Sequence, residues 1–272
     1  MTEPILKVED LVVTFGSGKS AKTVIHGVSF DLHAGETLSM VGESGSGKTT
    51  IGRAVLGLAP VSGGRVLFRG DDIARAGRGE RRRIARDIQV VFQDPYSSLN
   101  PSMRIEDILV EPLAAAGVRD GRNRVRNLLD AVGMPSDAAG RYAREFSGGQ
   151  RQRIAIARAL ALEPSVIICD EPTSALDVTT QATVLRLFKE IQEATGVAYL
   201  FISHDLGVVH NISDRIAVLY QGEIVEIGDA DHVATAPKDA YTRRLQMAAP
   251  VADPVLQRER RAARVAMAET NR

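Results

Sequence analysis

The apolar residues of this chain fall into short runs separated by polar loops. Two runs, 166–170 and 198–202, are apolar at almost every position, which is typical of parallel strands covered on both faces. Residues 24–32 instead alternate toward their end, with Val28, Phe30 and Leu32 on one face, and this pattern also predicts a strand. Further strands are predicted at 5–15, 37–41, 65–68, 88–92, 216–219 and, at a sheet edge, 223–227.

A helical spacing of apolar residues follows the run at 166–170. Val184, Leu187, Phe188 and Ile191 recur at i, i+3, i+4 and i+7, which predicts an amphipathic helix over 178–195. Because strands alternate with helices, the sequence predicts an α/β fold with parallel crossovers. Glycines and a proline divide residues 100–146 into helix-like pieces, which indicates an inserted helical lobe. Shorter helices are predicted at 49–58, 105–116, 122–132 and 148–162.

Composition narrows the class of protein. The 272 residues include 34 Lys and Arg against 34 Asp and Glu, so net charge gives no reason to expect general binding to nucleic acid or anionic membranes. No apolar run approaches the roughly 20 residues of a membrane span, and the first residues do not resemble a secretory signal.

The single cysteine, Cys169, is expected in the core. Arg81, Arg82 and Arg83 lie among acidic residues, which predicts a solvated helix face. We therefore expect a soluble cytoplasmic protein.

Residues 42–49 (GESGSGKT) match the pattern G-x-x-x-x-G-K-[ST] between a predicted strand and a predicted helix. Glycines allow the backbone N–H groups to point at phosphate oxygens, and the helix start adds the positive end of its dipole. Lys48 can reach the β- and γ-phosphates, and the Thr49 hydroxyl can bind Mg²⁺. A chance match is disfavoured by the flanking strand and helix. The residues expected to contact nucleotide here are Gly42, Glu43, Ser44, Gly45, Ser46, Gly47, Lys48, Thr49 and Thr50.

Two carboxylates, Asp170 and Glu171, follow the buried run at 166–169. In a P-loop fold an acidic residue at such a strand end holds Mg²⁺ through water, and we assign this role to Asp170. Glu171 then lies beside the γ-phosphate, where a carboxylate can orient or deprotonate the attacking water. The alternative, a solvated Asp-Glu pair before Pro172, is disfavoured because the chain also has a P-loop.

Residues 146–150 (FSGGQ) form a second glycine-rich start to a helix, and so a second candidate anion site. The P-loop already provides a binding site for one triphosphate, so this segment is expected to contact a nucleotide that is held by another subunit. The alternative is an N-cap serine with glycines that ease a tight turn. That alternative explains Ser147 but leaves Gly148, Gly149 and Gln150 without a reason.

Taken together, the ordered motifs resemble the nucleotide-binding subunit of ABC transporters over residues 5–247. The set comprises the P-loop, Gln93, the segment 146–150, the Asp170-Glu171 pair, residues 174–177 (SALD) and His204. The resemblance implies a P-loop NTPase fold with a RecA-like core, an antiparallel β subdomain and an inserted α-helical subdomain. It also implies a nucleotide-binding domain at 1–248, a helical subdomain at roughly 98–160 and a helical, basic tail at 249–272.

The resemblance also implies roles for single residues. Gln93 resembles the family's glutamine that contacts Mg²⁺ and the attacking water; the alternative is an exposed glutamine in a loop. His204 resembles the histidine that contacts the γ-phosphate; the alternative is a histidine with a purely structural role. Phe15 resembles the aromatic residue that stacks on adenine; the alternative is an apolar residue at the end of a strand. The catalytic set is Lys48, Gln93, Glu171 and His204, and the metal set is Thr49, Gln93 and Asp170. The residues that would contact the nucleotide bound by the other subunit of a dimer are Ser147, Gly148, Gly149, Gln150 and Asp177.

Two further segments point to a branch of the family. Residues 93–101 (QDPYSSLNP) and residues 237–250, which include Tyr241-Thr242-Arg243, resemble the oligopeptide, dipeptide and nickel importer branch. Asp239 and Ala240 replace the His-Pro that this branch usually has. The C-terminal cysteine cluster of some members is missing, which disfavours an iron–sulfur cluster.

The resemblance implies an ATP-hydrolysing subunit that powers import of peptides or related solutes, with ATP and Mg²⁺ as cofactors. Its expected partners are a second, different nucleotide-binding subunit, two transmembrane permease subunits and, through the permease, an extracytoplasmic solute-binding protein. It would lie at the cytoplasmic face of the membrane, without a span of its own and without nucleic acid. The alternatives are a nickel or glutathione importer, a soluble ABC-type ATPase, a P-loop kinase or GTPase, and a regulatory binder that hydrolyses little.

Overall fold

The computed structural model describes residues 3–118 and 121–248. The tail predicted at 249–272 lies outside the described residues. The strands are β1 Leu6–Phe15, β2 Lys22–Leu32, β3 Thr37–Val41, β4 Gly63–Phe68, β5 Asp71–Asp72, β6 Ile88–Val91, β7 Val166–Asp170, β8 Ala198–Ser203, β9 Arg215–Tyr220 and β10 Glu223–Asp229. The helices are α1 Lys48–Val55, α2 Arg78–Asp87, α3 Pro95–Ser98, α4 Ile105–Ala115, α5 Gly121–Ala131, α6 Gly148–Leu160, α7 Val178–Thr195, α8 Leu206–His210, α9 Ala230–Thr235 and α10 Ala240–Ala248.

The larger sheet has the strand order β10-β9-β3-β8-β7-β6. All neighbours are parallel except β10, which pairs antiparallel with β9 at the edge. Three adjacent strands of this sheet, β3, β8 and β7, are buried almost throughout, because helices and the second sheet cover both faces. The predicted α/β class, its parallel strands and the edge position of β10 are therefore confirmed.

The smaller sheet, of order β2-β1-β4-β5, is antiparallel. Its inward side chains share one core with one face of the larger sheet. Strand alternation assigns Ile168, Leu200 and Ile202 to that core, together with Ile51 and Val55 of α1. Helix α1 thus lies between the two sheets and begins directly at the end of the loop 42–47.

The opposite face of the larger sheet packs against helices. Tyr199 and Phe201 of β8 contact Phe188 of α7 edge-to-face, with ring centroids 5.3 and 5.8 Å apart. The helices α3–α6 lie between β6 and β7 in the chain, and their buried residues, among them Leu109 and Leu129, join the same core. The parallel core, the antiparallel sheet and the inserted helices are the parts that the predicted fold requires. None of the described helices is both long and apolar enough to cross a bilayer.

One surface prediction is wrong in part. Arg82 and Arg83 of α2 are exposed, as expected of a solvated face, but Arg81 is half-buried. Its guanidinium donates to the carbonyl oxygens of Ile73 at 2.5 Å and Val55 at 3.3 Å. These contacts tie α2 to the end of α1, so Arg81 serves packing. The structure confirms the expected core position of the Cys169 side chain in β7.

Candidate functional site

The loop at 42–47 joins β3 to α1 and has almost no room for side chains at two positions. A Cβ atom at Gly42 would lie 2.2 Å from the carbonyl oxygen of Leu219 in β9. Gly47 has φ +110°, and a Cβ atom there would lie 2.5 Å from Cδ1 of Ile25. The glycine pattern in the sequence therefore reflects both a left-handed backbone and close contact with neighbouring strands.

Lys48, the first residue of α1, is only 4% exposed. Its Nζ donates to the carbonyl oxygens of Gly42 at 2.7 Å and Glu43 at 2.8 Å. Burial lowers the pKa of Lys48, and the carboxylates of Glu171 and Asp170 oppose that effect. A cation is thus fixed inside the loop, where it can pair with an anionic ligand such as phosphate.

A cavity of about 270 Å³ opens over this loop. It combines residues from the ends of three strands: the loop after β3, Gln93 after β6 and Glu171 after β7. The carboxyl ends of parallel strands meet at one sheet edge, which is where α/β folds bind ligands. The lining residues are Val24, Ser44, Gly45, Gly47, Lys48, Thr49, Thr50, Gln93 and Glu171.

Thr49 and Asp170 lie next to each other at this edge. The Thr49 hydroxyl donates to Oδ1 of Asp170 at 2.9 Å. Burial raises the pKa of Asp170, the Thr49 hydrogen bond opposes this shift, and the nearby Glu171 charge adds to it. A second cavity, of about 450 Å³, is lined by Thr49, Gln93 and Asp170 together with Arg53, Phe92, Asp94, Ser98 and Arg158.

The oxygen donors at this edge fit a hard cation. Hydroxyl, carboxylate and amide oxygens are ligands that Mg²⁺ accepts, and Mg²⁺ usually completes its shell with water and substrate phosphates. Among the described residues no group of three or more His, Cys, Asp or Glu side chains could hold a metal ion. The oxygen atoms of Thr49, Gln93 and Asp170, which line one cavity, fit a Mg²⁺ ion that also takes ligands from water and phosphate.

Glu171 lies directly after β7 with a left-handed backbone, φ +48°. Its N–H donates to the carbonyl oxygen of Ile202 at 2.9 Å, which fixes it against β8. Its Oε2 lies 3.2 Å from Nδ1 of His204, and the carboxylate is mostly buried while the imidazole is 56% exposed. A non-glycine residue in this backbone region is often found at functional sites. The arrangement places a carboxylate at the cavity, where it can accept a proton from water.

The segment 147–150 lies elsewhere and does not line either cavity described above. The Ser147 hydroxyl accepts from the Gln150 N–H at 3.3 Å, and the Gln150 side chain accepts from the Ser147 N–H at 3.0 Å. This reciprocal pair is a capping box at the start of α6. The N-cap interpretation is therefore correct for Ser147 and extends to Gln150, while Gly148 and Gly149 form the first turn.

Asp177 caps α7 beside that segment. Its carboxylate accepts from the Thr180 N–H at 3.0 Å and from the Thr180 hydroxyl at 2.7 Å, and these bonds lower the pKa of Asp177. A Cβ atom at Gly149 would lie 2.3 Å from Cγ2 of Thr180. Gly149 thus allows the starts of α6 and α7 to pack closely.

We expect Gly149→Ala to destabilise the protein by about 1–3 kcal/mol, because the new methyl group overlaps that of Thr180. Thr180→Ser removes only the methyl group and keeps the hydroxyl bonded to Asp177. Adding Thr180→Ser to Gly149→Ala should therefore restore most of the lost stability. Urea unfolding of the two single variants and the double variant measures this, and additive losses would contradict the packing argument.

The remaining predicted residue, Phe15, ends β1 and is 43% exposed. It pairs with Lys22 in β2, two residues before Val24 of the first cavity. The structure therefore places Phe15 near the rim of that cavity but not in its lining.

Sequence reasoning missed several residues around the site. Val24 lines the first cavity, and Arg53 and Arg158 line the second. The Tyr241 hydroxyl of α10 accepts from the N–H of Glu43 in the loop, at 3.0 Å. The only signal for Tyr241 was its place in the string 241–243, which was assigned to a branch of the family and not to the site.

Three kinds of comparison agree with this geometry. The family model described as "ABC transporter" matches residues 25–174. The glutathione import ATP-binding protein GsiA of Escherichia coli strain K12 is 50% identical over 269 aligned residues, covering 95% of this chain and 43% of that protein. GsiA of Shigella boydii serotype 4 matches to the same extent. The chain thus spans less than half the length of these relatives.

Solved structures of other proteins share the fold. CbiO1 from Clostridium perfringens, part of the ABC transporter complex cbiONQ, has a TM-score of 0.75 and 28% identity, covering 85% of this chain and 91% of that chain. The ATP-binding cassette MJ0796, in a dimeric post-hydrolysis state with ADP and Pi, has a TM-score of 0.73 and 29% identity, covering 83% and 98%. With the P-loop, the cavity and these matches together, the chain belongs to the ABC transporter family and has the fold of its ATP-binding cassettes.

Proposed function

We propose that this chain is the ATP-hydrolysing subunit of an importer for peptides or related solutes. The observation that carries the proposal is the cavity that joins the P-loop, Gln93 and Glu171, with Nδ1 of His204 3.2 Å from Oε2 of Glu171. This set supplies a phosphate cradle, a cation and a base within one pocket, as nucleotide hydrolysis requires.

In the proposed reaction, the N–H groups of the loop and Lys48 bind the β- and γ-phosphates of ATP. Thr49, Asp170 and Gln93 would hold Mg²⁺, which supplies positive charge at the phosphate oxygens when bound. Glu171 accepts a proton as the oxygen of water attacks the γ-phosphorus, and the bond to the ADP oxygen breaks. His204 orients the Glu171 carboxylate and, from its exposed side, faces the γ-phosphate. Phe15 would contact adenine at the rim.

The reaction needs a second subunit in this proposal. Five residues assigned to nucleotide lie outside the cavities lined by the P-loop and Gln93: Ser147, Gly148, Gly149, Gln150 and Asp177. They are grouped at the starts of α6 and α7, and the N-terminus of a helix attracts anions. We assign them to the nucleotide held by a partner cassette, and we propose that this partner is a different chain. Closure of the dimer would exclude water from both sites.

The proposed domain is 1–248, with a helical subdomain at 98–160 that docks on two transmembrane permease subunits together with residues 93–100. Two residues of the segment 93–100 contact arginines of α6. The carbonyl oxygen of Ser98 accepts a hydrogen bond from Arg158 at 2.6 Å, and the ring centroid of Tyr96 lies 4.3 Å from the guanidinium of Arg151. Arg151 lies near the start of α6 and Arg158 near its end, so residues 93–100 are tied to this helix at two points. The chain would lie at the cytoplasmic face of the membrane, and the extracytoplasmic solute-binding protein would act through the permease.

Glutathione is the solute that the relatives favour, because GsiA proteins that are named for glutathione import are 50% identical to this chain. Glutathione is itself a small peptide, so it fits the proposed solute class.

The proposed function is tested by isolating the tagged full chain from membranes of its own host. We expect permease subunits and a second ATP-binding subunit to accompany it. We also expect the solute-binding protein loaded with glutathione or a short peptide to stimulate its ATPase activity. Stimulation by Ni²⁺ alone, or a chain that binds no membrane subunit, would contradict the proposal.

The tail from Pro250 onward is proposed to be dispensable for hydrolysis, because every residue assigned to the site lies before it. A chain ending at Ala249 should keep the kcat and the KM for ATP of the full chain. Steady-state phosphate release measures both constants. A truncated chain that was folded but inactive would show that the tail takes part in the site.

A further inference from the structure

Tyr241 links the C-terminal helix α10 to the P-loop. Its side chain is 5% exposed, and its hydroxyl oxygen accepts a hydrogen bond from the backbone N–H of Glu43 at 3.0 Å. The two residues are 198 positions apart in the chain. Among the described hydrogen bonds, this one joins the loop directly to a side chain of the C-terminal helix.

The surroundings of Tyr241 fix its ring in place. The ring packs against Tyr220, the last residue of β9, with centroids 4.3 Å apart. The Asp239 carboxylate accepts from the N–H groups of Tyr241 at 2.7 Å and Thr242 at 3.4 Å, which caps the start of α10. The Asp239 N–H in turn donates to Glu226 of β10 at 3.1 Å. The hydroxyl is therefore presented from a helix start that is tied to the sheet, and Asp239 supplies the cap at a position where the related branch usually has histidine.

Glu43 is held from both sides. Lys48 donates to its carbonyl oxygen at 2.8 Å, and Tyr241 accepts from its N–H. A bound phosphate would compete with the two loop carbonyls for the Lys48 ammonium, because a charged acceptor forms the stronger hydrogen bond. When Lys48 turns to phosphate, the Tyr241 hydroxyl remains to hold the backbone of Glu43.

We propose that Tyr241 is a positioning residue for nucleotide binding: its hydroxyl keeps the loop 42–47 in the conformation that receives phosphate. This inference rests on the proposed function, since it assigns ATP to that loop. Tyr241 lies in α10, whereas Glu171 and His204 follow β7 and β8. Loss of the hydroxyl should thus weaken binding of the nucleotide and leave the proton transfer unchanged.

Tyr241→Phe isolates the hydroxyl. Burial raises the pKa of Tyr241, so the hydroxyl is neutral at physiological pH and the substitution changes no charge. The phenyl ring keeps its contact with Tyr220. The matched control is Tyr199→Phe, because the Tyr199 hydroxyl is also buried and donates to a backbone group, the carbonyl oxygen of Phe188 at 3.1 Å, in the core away from the loop.

The experiment uses the full chain and its two variants. Calorimetric titration with ADP in the presence of Mg²⁺ gives Kd, steady-state phosphate release gives KM and kcat, and hydrogen exchange is followed in peptides that cover 41–48. For Tyr241→Phe we expect Kd and KM to rise about tenfold, the effect of one unpaired amide, with kcat unchanged. We also expect faster exchange in the loop. For Tyr199→Phe we expect wild-type Kd, KM and loop exchange.

The outcomes separate this inference from the proposed function. If the wild-type chain binds ADP and Tyr241→Phe binds it equally well, the positioning role is wrong and the proposed function stands. If both variants weaken binding to the same extent, the effect is one of general stability and the positioning role is again wrong. A wild-type chain that binds no nucleotide would overturn the proposed function and this inference together.

Discussion

Glu171→Gln should lower ATP turnover by about two to four orders of magnitude while ATP still binds. Glutamine keeps the size of the side chain and an oxygen within reach of Nδ1 of His204, which lies 3.2 Å from Oε2 in the wild type. It cannot accept a proton from the attacking water, and a positioned base is typically worth a rate factor of about 10²–10⁴. Phosphate release measures turnover, and calorimetric titration measures binding.

The same variant should also accumulate a closed dimer. When ATP binds but is not hydrolysed, the two cassettes have no step that reopens them, so size-exclusion chromatography with ATP should show a larger species. Glu163→Gln is the matched control, because Glu163 is 81% exposed and its carboxylate pairs with Arg124 on the surface. Undiminished phosphate release by Glu171→Gln would contradict the role of Glu171 as the base.

Lys48→Ala should remove most of the affinity for ATP. The substitution deletes the buried ammonium that faces the loop carbonyls and removes one positive charge that acts on the carboxylates of Asp170 and Glu171. Each hydrogen bond to a charged group contributes about 1.5–3 kcal/mol, so loss of the contacts to two phosphates should weaken binding by about a hundredfold or more.

The control for Lys48→Ala is Lys189→Ala, which removes a cation from the exposed face of α7. Both variants are titrated with ATP in the calorimeter, after circular dichroism has shown that each is folded. Lys189→Ala should bind ATP as the wild type does. Wild-type affinity in Lys48→Ala would show that the loop 42–49 does not hold the phosphates.

The parts of the fold that the sequence predicts well are those whose signal is local. Strands β3 and β7 have the predicted bounds, and β8 differs by one residue, because a short apolar run between turn residues has few other solutions. Helix α7 also has its predicted bounds, since Asp177 caps its start and the left-handed Gly196 ends it. The prediction for α1 extends too far, because Leu56 caps the helix and Gly57 turns left-handed.

The parts that the sequence could not predict depend on residues far apart in the chain. Helices α8, α9 and α10 are short, and their buried faces are defined by the strands on which they pack and by their contacts with one another. Arg81 is packed because its guanidinium finds backbone carbonyls at the end of α1, which no local pattern signals. The bond from Glu43 to Tyr241 has the same character. In the candidate site, the P-loop residues could be found from their spacing and Gln93, His204 and Phe15 from the family resemblance, whereas the residues that support them could not be found in either way.

ATP-driven solute uptake into vesicles tests the proposed function most directly. The full chain is reconstituted with the permease and partner subunits that accompany it, in vesicles with the solute-binding protein and labelled glutathione or a short peptide on the extracytoplasmic side. We expect accumulation that requires ATP on the side of this chain and is lost when it carries Glu171→Gln. Equal accumulation without ATP, or with Glu171→Gln in place of the wild-type chain, would contradict the proposed function.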